Sequence, residues 1–96
     1  MGTKVTRQTK INILRILRVL REAHKNNEGY LTVNKIAKRT GLHKWSVSRI
    51  LDLYMPYVTT KMIEELEAIG LQAKLVELEK PEITEKQALR FLSVRL

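Results

Sequence analysis

Residues 36–51 read IAKRTGLHKWSVSRIL, and this stretch decides the fold. Ile36, Ala37, Leu42, Val47, Ile50 and Leu51 make a sparse apolar skeleton with Gly41 near its midpoint. Trp45 follows among Lys44, Ser46, Ser48 and Arg49. Two short helices that meet steeply need a tight connection, and glycine adopts positive φ at little cost. They also need a small residue where their axes approach, here Ala37. Ile36, Leu42, Val47 and Ile50 are spaced to fill the wedge between them. Lys44, Trp45, Ser46, Ser48 and Arg49 are then left on the outside of the second helix, at its N-terminal end.

Working outward, Thr32 is placed to cap a helix over 33–40. A second helix starts near His43 or Lys44 and runs to Tyr54, so the pair occupies 33–54. Pro56 lacks an amide donor and disfavours helix just before it, which predicts a break there. Upstream, a helix is expected over 9–26, with Ile11, Ile13, Leu14, Ile16, Leu17, Val19, Leu20 and Ala23 apolar. At ~100° per residue these cover more than half the circumference, wider than one small core uses. Either a second copy of the chain covers the surplus, or the domain wraps the helix by itself. Asn26-Asn27-Glu28-Gly29 reads as a helix stop, and residues 30–32 as extended. Residues 1–8 read as a flexible basic arm, in which Lys4 and Arg7, with Lys10 just beyond, could reach a neighbouring groove.

Downstream, Thr59 or Thr60 is expected to cap a helix through Ala68, with Met62, Ile63, Leu66 and Ile69 inward and Glu64, Glu65 and Glu67 outward. Gly70 would close it. Residues 71–75 alternate with period two and predict a strand, with a bulge or strand end near Val76. A turn over 79–82 and a short return over 82–84 complete a small hairpin, 71–84, with Lys80 at its tip. Thr84-Glu85-Lys86-Gln87 is a capping-box signature that opens a last helix over 85–96. Ala88, Leu89, Phe91, Leu92, Val94 and Leu96 leave that helix apolar on most sides, a second hint of burial between copies. The expected fold class is mainly α with a small β-hairpin, one domain over 1–96, dimeric through its first and last helices.

Composition narrows the function. The 96 residues are 44% hydrophobic and 29% charged, ordinary for a globular chain. The absence of cysteine rules out disulfides and thiolate metal sites, and fits a reducing compartment. His24 and His43 are too scattered for a zinc site. His24 reads as packing or capping, and no cofactor is expected. No run reaches the ~18 apolar residues of a membrane span, and the first ten residues lack a signal-peptide core. Met1-Gly2 with Thr6 is only a weak myristoylation match. The net charge of +8 is uneven: residues 1–50 hold twelve Lys or Arg against Glu22 and Glu28, and residues 51–96 hold six against eight acids. A concentrated positive field suits a polyanion, and nucleic acid is the first candidate.

The Ala37–Gly41–Val47–Ile50 spacing over about 33–51 resembles the helix-turn-helix of DNA-binding regulators. The order of helix, helix-turn-helix, small hairpin and last helix is similar to archaeal winged-helix proteins of the PadR-like sort, as is the ITEKQALRFL ending. Size and layout also resemble small centromere-binding proteins of archaeal plasmid partition systems. The chain departs from the winged-helix pattern in two places: its hairpin is short and acidic, and 56–70 looks like an added helix.

The resemblance implies that the helix beginning at Lys44 enters the major groove of double-stranded DNA. Arg49 would read guanine O6 and N7. Ser46 and Ser48 would bond phosphate or a base edge, with His43 and Lys44 where the DNA backbone enters. Trp45 has two readings: facing DNA against a thymine methyl or sugar, or partial core. Lys35, Lys38 and Arg39 would contact phosphates, and Thr32 or Asn34 the backbone at the helix start. The expected function is sequence-specific DNA binding without catalysis, as a cytoplasmic, nucleoid-associated regulator of transcription. A partition protein that spreads on a centromere-like site and recruits an accessory or motor protein is the alternative, favoured by the lack of an evident ligand pocket. An architectural, chromatin-like protein and a protein-docking module are further alternatives. No phosphate loop, nucleophile or paired metal ligands suggest an enzyme.

Overall fold

Thr6 sets where the first helix begins. Its side chain accepts from the Thr9 amide at 3.1 Å, and α1 spans Arg7–Lys25. Arg7 and Lys10 therefore belong to α1 and not to an arm, which corrects the expected start two residues further on. The computed structural model describes residues 6–62, 74–79 and 82–94; residues 1–5 of the expected arm lie outside these. Asn27 (φ 56°) and Gly29 (φ 70°) turn the chain out of α1. Strand β1, Leu31–Thr32, follows, and the Thr32 hydroxyl accepts from the Lys35 amide at 3.1 Å to open α2, Val33–Thr40.

The elbow forms as its sequence dictates. Gly41 sits at φ 76°, and its amide donates to the Ala37 carbonyl at 2.9 Å. Thr40 donates its hydroxyl to the Ile36 carbonyl at 2.8 Å. α3 then spans Lys44–Tyr54, and the chain leaves helix before Pro56.

The next segment departs from the sequence reading. Residues Val58–Met62 form strand β2, so Thr59 and Thr60 are strand residues and not helix caps. Residues 63–70, which carried the rest of that expected helix, lie outside the described residues. Strand β3 is Lys74–Leu78. It runs antiparallel to both neighbours in the order β1-β3-β2. Val76 pairs with Leu31 on one side and Thr60 on the other, so no bulge interrupts it. The antiparallel hairpin is thus β2–β3, not 71–84. Residues 82–84 are not a strand, because Thr84 is committed to α4, Glu85–Val94. Its hydroxyl accepts from the Gln87 amide at 3.1 Å, and Gln87 Oε1 accepts from the Thr84 amide at 3.0 Å, a reciprocal capping box.

These elements, mainly helical with a small three-stranded antiparallel sheet, share one core. Ile13, Ile16, Leu17, Leu20 and Ala23 of α1 meet Ile36, Val47, Ile50 and Leu51 of the helical pair, Val76 and Leu78 of the sheet, Ile83 just before the last helix and Ala88 within it. Tyr57 is buried there too, and desolvation pushes its phenol up to about 12 despite the nearby Arg21. Full burial of an aliphatic side chain contributes about 1.5–3 kcal/mol. The broad apolar arc of α1 is therefore largely spent within one chain and does not require a second copy.

A Cβ added at Gly41 would meet nothing within 4 Å, so only backbone conformation resists substitution. Gly41→Ala is expected to cost about 1 kcal/mol in a denaturant titration, with Gly41→Asn costing less, since asparagine tolerates the left-handed region better. Equal stability of wild type and Gly41→Ala would contradict this.

Candidate nucleic-acid interface

α3 is anchored on one side and free on the other. Val47 is fully buried and Ile50 is 7% exposed, while Trp45 is 75% exposed. The core reading of Trp45 is therefore wrong. The helix starts at His43, whose Nδ1 accepts from the Trp45 amide at 3.1 Å. The same imidazole packs edge-on to the indole, with ring centroids 5.8 Å apart at 84°. The cap thus also orients the tryptophan.

Trp45, Ser48, Arg49, Asp52 and Leu53 line a shallow depression of about 410 Å³ on this outer face. Lys44, Ser46 and Arg49 are exposed and Ser48 is half-buried. Asp52 and Leu53 belong to the same face but were not singled out from sequence. Their spacing of four from Ser48 and Arg49 was the available signal.

On α2, Asn34, Lys35 and Lys38 are exposed. Thr32 is half-buried, with its hydroxyl engaged as the cap of α2. Arg39 is held by Glu28, which the sequence reading did not pair with it. Its guanidinium donates to the two carboxylate oxygens at 3.0 and 2.6 Å, tying the turn after α1 to the end of α2. The Arg39 hydrogen bonds, together with the positive charges of Arg39 and Lys35, hold the Glu28 carboxyl below its ordinary 4.5. Glu28 in turn raises Arg39. An arginine already forked onto a carboxylate is a poor phosphate ligand, so Arg39 leaves the set of free cations.

Elsewhere, His24 is exposed, so its expected packing role does not hold. Lys80 lies outside the described residues. An open cleft of about 560 Å³ lies between Pro56, Tyr57, Glu79, Glu82, Ile83, Gln87 and Arg90. Among the described residues no helix is long and apolar enough to cross a membrane.

The Glu28–Arg39 pair has a pH signature. A depressed carboxyl contributes stability that is complete above its unfolded value near 4.5 and is lost as pH falls below it. Glu28→Gln should lower the thermal midpoint slightly at neutral pH, and the gap to wild type should close on acidification to pH ~2. The gap should also shrink in about 1 M salt. A gap unchanged by acid would show that the pair is not ionic in origin. No protein-family model matches the chain, and neither a curated protein nor a solved structure is significantly similar to it.

Proposed function

We propose that this chain is a non-enzymatic, sequence-specific double-stranded DNA-binding protein of winged helix-turn-helix build, acting as a transcription regulator. The single observation that carries the reading is the outer face of α3. A tryptophan 75% exposed stands beside Arg49 on a helix whose opposite side is locked into the core. A monomer rarely leaves an indole in water on a rigid, cation-flanked helix without a partner for it.

The order β1-β3-β2, with α2 and α3 between the first and second strands, supports the winged build. Between β2 and β3 the sequence runs through a segment, 63–73, that lies outside the described residues. It contains Glu64, Glu65 and Glu67 and no Lys or Arg, so phosphate contact falls to the helices. Lys44 on α3, with Lys35 and Lys38 on α2, would supply it, and Ser46 and Ser48 would add hydrogen bonds. A two-fold assembly remains part of the proposal. Of the first and last helices expected to carry it, the last is favoured, because the outer side of α1 is cationic. The partition reading, a protein that spreads on a centromere-like site, stands as the alternative.

The test is a gel-shift series followed by in-vitro selection of bound duplexes. Retardation at low salt, an affinity falling steeply with added salt and a two-fold-symmetric motif are expected. No duplex binding at low salt removes the proposal. Protection that spreads outward from the selected site with concentration would replace regulation by partition.

The major groove offers one apolar group, the pyrimidine 5-methyl, and it is the natural contact for Trp45. Trp45 and Arg49 are about 6 Å apart along the helix, close to two base-pair steps. A thymine and a guanine about two steps apart are therefore expected in the motif. Replacing that thymine by uracil should weaken binding about fourfold, the ~0.8 kcal/mol of one buried methyl. In Trp45→Ala the same replacement should change nothing. An equal loss in both proteins would assign the methyl contact elsewhere.

A further inference from the structure

The helical residues Arg7 and Lys10 extend a pattern that continues along all of α1. Arg7, Lys10, Arg15, Arg18 and Lys25 are exposed and Arg21 is half-buried. At ~100° per residue the six fall within about 140° of arc, on the side away from Ile13, Ile16, Leu17 and Leu20. Glu22 is the acid on that face, and none of the six cations is ion-paired with a described residue. From Arg7 to Lys25 the stripe is about 27 Å long, close to eight base pairs of duplex.

The reading given for α3 leaves this stripe unused. α1 and α3 both turn their buried sides into the shared core, so the basic stripe of α1 and the outer face of α3 are separate surfaces. We infer that the outer face of α1 is a second duplex-binding surface, which holds a second DNA segment while α3 reads the first.

Charge complementarity selects the occupant. A basic helix that settles on a lipid surface needs its apolar side free for the acyl boundary. Here Ile13, Ile16, Leu17, Leu20 and Ala23 are at most 2% exposed, spent inside the domain. A second copy of α1 would set cations against cations. A phosphate backbone meets the six cations of the stripe with opposite charge, Glu22 being the one acid among them, without requiring a base sequence.

The inference rests on duplex binding through α3, and the experiment separates the two. Bead-bound duplex carrying the selected site is loaded with protein, and capture of a second, labelled duplex of random sequence is measured against salt. Wild type should capture it. Arg15→Gln/Arg18→Gln should keep its affinity for the selected site within about threefold and lose capture by about tenfold or more, because two phosphate contacts contribute about two to the salt slope. Arg15→Lys/Arg18→Lys should restore capture, because the charge is kept. All these side chains are half-buried or exposed, and unchanged thermal melts would exclude a folding effect. Wild type that binds the selected site but captures no second duplex overturns the inference, as does capture undiminished in the glutamine variant. Capture of phosphatidylserine vesicles in place of the labelled duplex also overturns it. Failure to bind any duplex would instead sink the α3 reading.

Discussion

Every described element leans, directly or through a neighbour, on one stripe of α1. Ile13, Ile16, Leu17 and Leu20 are at most 2% exposed, and α2, α3, β3 and α4 all pack against that helix. A chain of 96 residues supports only one hydrophobic core, so each element must reach the same few side chains. This constraint is why α2 and α3 are short and steeply joined. It is also why β3, with Val76 fully buried between two partner strands, is central to the sheet. Among the described residues no charged side chain is buried and the Tyr57 phenol is the polar group carried inside, so the core is held mainly by shape and apolar contact.

The same constraint divides the surface. Since α1 turns its apolar side inward, its charges are forced outward. Since the elbow at Gly41 clamps the inner side of α3, Trp45 and Arg49 are forced outward as well. The positive half of the chain therefore surrounds the core on two separate helical faces. Four of the eight acids of the second half, Glu77, Glu79, Glu82 and Glu85, lie on β3, in the turn after it and at the start of α4, while Asp52 sits on the outer face of α3. A polyanion would be steered toward the helices and away from that edge.

The helical pair was legible because each of its signals is local. The Thr32 cap, the left-handed Gly41 and the stop before Pro56 each act over three or four residues. The capping box at Thr84 is equally local, and it too formed as read. The extended stretch at 30–32 and a strand overlapping β3 were legible, but β2 was not, because β2 and β3 find each other across an eleven-residue gap. Thr59 and Thr60 suit an N-cap and a strand alike, and only the pairing with Glu77 and Val76 decides between them. The same holds in the candidate site. Exposure of Lys44 and Arg49 followed from helical periodicity, whereas Trp45 stayed open between core and surface until the filled wedge of Val47 and Ile50 was seen. The capture of Arg39 by Glu28, eleven residues away with a turn, a strand and a helix between, follows no short-range rule.

The chain has a single tryptophan, and it is on the outside. In most small domains the indole is a core reporter whose emission shifts red when the fold melts. Here the ring already stands largely in water, with the His43 imidazole packed edge-on to it, so intrinsic fluorescence should be nearly blind to unfolding. It should instead respond to whatever covers the outer side of α3, an optical probe for occupancy that the protein carries without any label.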